Sequence, residues 1–357
     1  MTSPATLEAA AQDLAPAIGA AARKTHEQGI RCDALLTLNA AGLLRIYRSD
    51  APSANAWGTH IGVTRILARS CATTAWIVTQ TAEANRLIAA MGAAALVAAK
   101  PDAISVIADA AAPISVRRVG DQIILSGHWP HIAAASFADW LVLRGETDQG
   151  QMAFLVPTSS VTLIPADHRG GLRGCNFHSA AVNNLSVPVA QTFAIPADDA
   201  GLQTAAPLGA ILGGAEGGYN DYVAMTRKRV SGTGGGAVSK LTQVQIRLAE
   251  ADSDIAAARE RILQITANLQ SSTTPNATTI GRDSAVAARR CLQAITQLVQ
   301  QMGALGLAEF NPVQRHYRDV RAMATDARVN WDKHMAKFGR QELGVPEPDA
   351  LPAQAAE

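Results

Sequence analysis

Residues 315–326 read RHYRDVRAMATD. At helical spacing, Arg315, Asp319, Ala322 and Asp326 recur at intervals of four, three and four, so the sequence predicts that they share one helix face. On a surface helix such a face is solvated, and an Arg315 to Asp319 pair adds only a few tenths of a kcal/mol. Immediately upstream the periodicity is regular enough to count. Val244, Leu248, Ala251, Ile255, Ala258, Ile262 and Ile265 alternate spacings of four and three, as do Ala288, Cys291, Ile295, Leu298, Met302 and Leu305. Two long helices with narrow apolar seams predict a bundle, with the polar stretch SSTTP (Ser271 to Pro275) joining them. Beyond the bundle, Gly344 to Glu357 is rich in Pro and Ala and reads as a loose tail.

Further upstream the texture changes twice. From Ala103 to Pro188 the apolar residues are Ile and Val in short runs parted by turn residues: ISVIA, ISVRRV, a Gly120-Asp121 turn, IILSGHW, DWLVLRG, MAFLVP and VTLIP. These predict a β domain of six or seven strands, closed by one more in AAVNNLSVPVA. Before Asp102 the chain is rich in Ala and Leu with helical periodicity. Helices are expected from Leu35 to Arg45 and from Thr59 to Ala72. Trp76 follows, beside Thr73, Thr74 and Thr79, as either a core residue or the wall of a pocket. The expected division is a helical domain over 1–102, a β domain over 103–200, a helical bundle over 201–340 and a tail over 341–357.

Composition excludes several functions. The 357 residues are 48% hydrophobic and 17% charged, with a net charge of +1, so a folded chain is expected and no basic surface for nucleic acid. The apolar run from Leu87 to Lys100 is too short for a membrane span. Cys32, Cys71, Cys175 and Cys291 have no CxxC spacing and no secretory signal precedes them, so buried thiols, no metal site and a reducing cytoplasm are expected. A small-molecule partner remains.

Four segments carry a family resemblance: VGDQIILSGHWPHIAAASFADWLVL (Val119 to Leu143), GGLRGCNFHSAAVNNLSVP (Gly170 to Pro188), RLAEADSDIAAAR (Arg247 to Arg259) and QMGALGLAEFNPVQRHYRDVRA (Gln301 to Ala322). In this order they resemble the acyl-CoA dehydrogenase superfamily. The resemblance implies an α+β fold: an N-terminal helical domain, a middle β barrel or sandwich, and a C-terminal four-helix bundle with a flavin, FAD or FMN, between the last two. It also implies a homotetramer, or a dimer, built through the bundle.

Within that superfamily the pattern is closest to the two-component flavin-dependent monooxygenases. Dehydrogenases usually place a glutamate nine residues after the arginine of the RD pair, where this chain has Ala327. The phenol-hydroxylating oxygenases usually place a histidine one residue earlier, where this chain has Asp326. Their WxFSSG is replaced by Trp129-Pro130-His131-Ile132-Ala133-Ala134, so the usual histidine and serine are both missing. Asp326, with its pKa raised by an apolar pocket, and His131 are the candidates to handle protons, and Arg173 is a candidate for an anion or the flavin edge. The resemblance places flavin contacts at Trp129, His131, Ile132 and Ala133, at Arg227 and Arg229 near the phosphates, and at Gly303 and Gly306. Trp76, Thr79 and Phe177 are expected to border the substrate. The GTGGG stretch at Gly232 to Gly236 lacks the lysine of a P-loop and reads as a helix break.

Three functions are therefore expected: an oxygenase using O2 and reduced flavin from a separate reductase, an oxidoreductase acting on a CoA thioester, or a non-catalytic member of the fold. The chain has no GxGxxG unit for a nicotinamide, which fits an external reductase.

Overall fold

The computed structural model describes residues 4–47, 56–100, 102–166, 170–196, 199–230, 235–271 and 276–346. Residues 232–234 of the expected helix break, 272–275 of the SSTTP loop and 347–357 of the tail lie outside the described residues.

The N-terminal helices are α1 (Pro4–Gln28), α2 (Cys32–Ala40), α3 (Ala56–Ser70), α4 (Ala72–Ala90) and α5 (Ala94–Ala98). Instead of running to Arg45, α2 stops at Ala40 because Gly42 takes φ +79°. The Gly42 N–H then donates to the Asn39 carbonyl and the Leu43 N–H to the Leu38 carbonyl, the paired bonds of a Schellman termination. The helix expected to end at Ala72 is interrupted at Cys71, whose extended backbone (φ −155°, ψ 105°) starts α4 in a new direction. Nearly every side of α4 is buried, which makes it the central helix of this region. Its Thr79 and Thr81 hydroxyls are satisfied internally by the Ala75 and Val78 carbonyls at 3.0 and 2.9 Å.

The strands are β1 (Ser105–Asp109), β2 (Ser115–Val119), β3 (Gln122–Ile132), β4 (Trp140–Thr147), β5 (Gly150–Pro157), β6 (Thr162–Pro165), β7 (His178–Pro188) and β8 (Thr192–Ala194). Among the described residues they form two four-stranded sheets, ordered β1-β4-β5-β8 and β2-β3-β7-β6. At three residues, β8 is too short to show periodicity, and nothing in the sequence reading anticipates it. The β3/β7 register shifts between Trp129 and Ile132, and His131 inside that irregularity has φ +59°. A bulge of this kind bends the strand end and re-aims its side chains.

Helices then return as α6 (Asp199–Ala205), α7 (Leu208–Lys228), α8 (Thr242–Gln270), α9 (Ala277–Gln301), α10 (Pro312–Ala324) and α11 (Trp331–Leu343), with α7 to α10 packed as the bundle. The expected seams are inside: Val244, Ala251, Ile255, Ala258, Ile262 and Ile265 on α8, and Ala288, Cys291, Ile295, Leu298 and Met302 along and just past α9, are buried, while Leu248 of the first seam is only partly buried. Leu305 lies beyond α9 in a short 3-10 turn and is only partly buried. On α7, Glu216 receives Arg65 and Arg69 of α3 and Arg259 of α8 at 2.7, 2.6 and 2.9 Å. Burial alone would raise its pKa, but Arg65 and Arg69 outweigh that and hold it at about 2. One carboxylate thereby joins the N-terminal helices to the bundle.

The RHYRD stretch departs from its expected face. Asp319 makes no pair with Arg315; its Oδ1 accepts the backbone N–H of Leu172 at 2.7 Å, crossing from α10 to the loop before β7. There Leu172 has φ +55°, and a Cβ on Gly171 would stand 2.1 Å from the Arg318 carbonyl oxygen, so only glycine lets the two backbones meet. Because α10 ends at Ala324, Asp326 is off the helix altogether.

Burial raises the Asp319 carboxyl to about 6, against the opposing pull of the Leu172 N–H, Arg315 and Arg318. A raised folded-state pKa gives stability that is full below the unfolded value and is lost as pH rises through the folded one. The stability of the native protein relative to Asp319→Asn is therefore expected to fall between about pH 4 and about pH 6 in urea melts. Asp319→Ala, which removes the acceptor, is expected to cost ~1–3 kcal/mol at neutral pH.

Candidate active site

A cavity of about 660 Å³ opens where α4, the ends of both sheets and the α10 to α11 connection meet. That volume suits a small organic ligand. Trp76 and Gln80 of α4 form one wall, and Ile107 to Pro113 with Arg144 to Glu146 form a second. Pro130, His131, Leu172 and Phe177 form a third, and Thr325 to Arg328 with Lys333 and Lys337 close the last. The β3 bulge delivers His131, whose ring meets Phe177 edge-on at 6.4 Å and 78°. Phe177 in turn follows Asn176, which is itself left-handed at φ +48°. Trp76, left open between core and pocket wall by the sequence, is both: 5% exposed and facing the cavity.

Asp326 begins a short 3-10 turn (Ala327 to Val329) and caps it, its Oδ1 accepting the Arg328 backbone N–H at 2.9 Å. The two side chains also pair in bidentate fashion, Nε to Oδ1 at 2.8 Å and Nη2 to Oδ2 at 2.9 Å. Arg328 Nη2 further donates to Gln80 Oε1 at 3.1 Å, and the guanidinium lies 5.3 Å from the centre of the Trp76 ring. This reverses the expected direction of the Asp326 pKa. Burial alone would raise it, but the Arg328 charge and hydrogen bonds hold it below the usual carboxylate range. Asp326 is thus a fixed anion, ill suited to giving and taking a proton near neutrality.

The other expected site residues divide sharply. Trp129 is fully buried with its indole N–H on the Arg144 carbonyl at 2.9 Å, and Ile132 and Ala133 are equally buried; none of the three lines the cavity. Thr79 points back to its own helix, as described above. Arg173 pairs with Glu309 at 2.7 Å, outside the cavity. Arg229 Nη2 reaches the Met302 carbonyl at 3.4 Å, beside Gly303 and Gly306, so these residues meet at one end of the bundle, while Arg227 is exposed nearby in sequence. A Cβ on Gly306 would lie 2.3 Å from the Val299 carbonyl, which accounts for the glycine through packing.

Sequence reasoning missed Gln80, Arg144, Arg328, Lys333 and Lys337. Arg144 donates from Nε to Asp109 across the β1/β4 pair. Lys333 and Lys337 are one helical turn apart on α11, and Arg328 sits two residues from the singled-out Asp326. Among the described residues, no helix is long and apolar enough to cross a membrane.

Comparison with known proteins agrees with this architecture. Residues 206–331 match the family model of the acyl-CoA dehydrogenase C-terminal domain. The chain is 24% identical to the oxygenase subunit HsaA of a flavin-dependent monooxygenase from Rhodococcus jostii (strain RHA1), over 95% of this chain and 98% of the relative. It is 26% identical to the oxygenase component of the FADH(2)-dependent resorcinol hydroxylase from Rhizobium sp. (strain MTP-10005), over 78% of this chain and 79% of the relative. The solved structure of butyryl-CoA dehydrogenase from Megasphaera elsdenii superposes with a TM-score of 0.80 at 17% identity, over 95% of this chain and 98% of that one. The chain has the acyl-CoA dehydrogenase fold, and it is similar in sequence to oxygenase subunits.

Asp326→Asn is expected to leave Arg328 buried without its counter-charge, a loss of ~3 kcal/mol at neutral pH. The Asp326 pKa is depressed, so the native protein's advantage over this variant should hold above the ordinary aspartate range and vanish as pH falls below it. Denaturant melts at neutral and acid pH check both.

Proposed function

We propose that this chain is the oxygenase component of a two-component flavin-dependent monooxygenase, which takes reduced flavin from a separate reductase and uses it with O2 to oxygenate a small organic molecule. The observation that carries this reading is the cavity wall at 326–328. The position that the dehydrogenase pattern fills with glutamate holds the Ala327 methyl, and the neighbouring Asp326 is held by Arg328. A base for removing an α proton from a CoA thioester is absent from that position. The names of the two relatives point the same way.

A flavin fits what lines the cavity: apolar and aromatic walls at Trp76, Pro130 and Phe177, and guanidinium donors at Arg144 and Arg328. When bound and reduced, it would supply the two electrons and the atom that meets O2. The protein supplies the rest. The Pro130-His131 corner and Trp76 orient the ring and its substrate, while the buried α4 wall excludes water. His131 is the group placed to exchange a proton at the cavity surface, and the Asp326–Arg328 pair keeps its charge fixed through turnover. We assign FAD in preference to FMN, following the resorcinol hydroxylase. Arg227 and Arg229 lie away from the cavity, so we assign them to the flavin phosphates of a neighbouring copy in a homotetramer. Of the four free thiols Cys71, Cys175 and Cys291 are buried as expected, whereas Cys32 is exposed; free thiols fit a cytoplasmic setting.

The test is stopped-flow mixing of the protein and reduced FAD with oxygenated buffer. A transient species spectrally distinct from both reduced and oxidised flavin is expected, absent from the protein-free control. Reoxidation at the free-flavin rate with no transient overturns the reading. Bleaching of bound oxidised flavin by an acyl-CoA without added reductant would make the protein a dehydrogenase instead.

A further inference from the structure

We infer that His334 is the proton acceptor on the bundle side of the cavity, its Nδ1 taking a hydrogen bond, and then the proton, from an O–H or N–H of the ligand. This rests on the oxygenase reading for calling that ligand a substrate, and on the geometry for the rest. Asn330 caps α11, its Oδ1 accepting the Lys333 backbone N–H at 2.9 Å, and so sets His334 one turn into the helix, on the cavity wall. The His334 Nε2 lies 2.9 Å from the Arg328 carbonyl. A carbonyl only accepts, so Nε2 carries the hydrogen and Nδ1 keeps the lone pair. No motif marks this ring, which reaches the cavity from the helix after the one that carries the RHYRD stretch.

Nδ1 is the open end of the ring. It makes no hydrogen bond among the described residues, yet it is not sealed in as the unpartnered Nδ1 atoms of His26, His60 and His316 are. Gly281 of α9 leaves room for it, since a Cβ there would stand 2.5 Å from Nδ1. The residue is 8% exposed, and burial and the Lys333 and Lys337 charges lower its pKa against the opposing bond to the Arg328 carbonyl. Other charges on the packed elements are engaged: Asp326 with Arg328, Asp283 with Arg261 and Arg282, and Arg289 with the Trp331 ring. Asp332 points to water. His334 is therefore a neutral base near pH 7, unlike the fixed anion Asp326. Transfer forms the Nδ1–H bond as the ligand's O–H or N–H bond breaks. The imidazolium keeps its other N–H on the Arg328 carbonyl, and the proton then leaves to water beside the exposed Lys333 and Lys337.

Diethyl pyrocarbonate acylates an imidazole at an accessible, unprotonated nitrogen, and mass spectrometry locates the product in the full-length protein without flavin. His334 is expected to be acylated in the folded protein, with a rate half-maximal below about pH 6.5, while His60, whose two ring nitrogens are both sealed, is not. Gly281→Ala, a favourable change for helix propensity, should slow acylation of His334 about ten-fold by covering Nδ1. Benzyl alcohol should protect His334 more than benzyl methyl ether, which has the same ring and no donor. The alcohol's affinity should fall as pH drops through the pKa of the ring, because the imidazolium cannot accept. His334→Gln, whose amide still serves the Arg328 carbonyl, should lose that pH dependence. An unmodified His334, acylation untouched by Gly281→Ala, or no greater protection by the alcohol than by the ether overturns the inference. No arm requires O2 or flavin, so a failed oxygenase reading and a failed base give separate results.

Discussion

One hydrogen bond, from the Leu172 backbone N–H to the Asp319 carboxylate, ties the β domain to the bundle and so determines where the cavity can be. It joins residues 147 positions apart at a place where a single Cβ on Gly171 would drive the backbones apart. Leu172 and Phe177, on either side of the 3-10 turn from Arg173 to Cys175, line the cavity only because that loop is pinned to α10. The cost is visible in the same residue. A carboxylate sunk at 2% exposure, with no arginine in salt-bridge contact among the described residues, is held ionised with difficulty. The fold accepts that cost where two domains must meet at one register.

Other joints use the opposite solution. Glu216 is surrounded by three arginines from two neighbouring helices, and Arg86 of α4 bridges Glu83 at 3.1 Å and Asp199 of α6 at 2.6 Å. Such buried clusters contribute less net stability than their short distances suggest, because desolvation offsets much of the attraction. What they do impose is orientation, since a displaced helix would leave several charges buried and unpaired. The α3/α7 contact shows why orientation matters. Cβ atoms on Gly209, Gly213 and Gly217 would lie 2.2, 2.2 and 2.4 Å from α3, so the helices touch along their backbones and a small shift would break all three approaches.

This distinction explains what the sequence disclosed. Periodicity is a local property, so the α8 and α9 seams and the β runs could be read directly, and the four motif segments placed them in a known order. Trp129, Ile132 and Ala133 belong to the best-matching motif, yet they build the β-domain interior and do not reach the cavity; their pattern reports fold more than ligand contact. Arg328, Arg144 and Gln80 carry no motif and come from three separate segments. Their importance lies in convergence, which no spacing rule encodes. Helix ends were misjudged for a similar reason: the left-handed turn at Gly42, the extended Cys71 and the stop at Ala324 are single-residue backbone choices within otherwise helical composition.

The stop at Ala324 has the largest chemical consequence. Had α10 continued, Asp326 would have stood on the same face as Asp319, an isolated carboxylate in an apolar setting with a raised pKa. Ending the helix two residues earlier turns Asp326 into the cap of a new turn and gives it Arg328 as a partner. The same carboxylate thereby changes from a potential proton carrier into a fixed negative charge that orients a guanidinium against Trp76 and Gln80. On the bundle side of the cavity Asp326 is thus a fixed charge, and the titratable ring there is His334 of α11, whose Nε2 lies 2.9 Å from the Arg328 carbonyl, so the turn that gives Asp326 its partner also positions that imidazole.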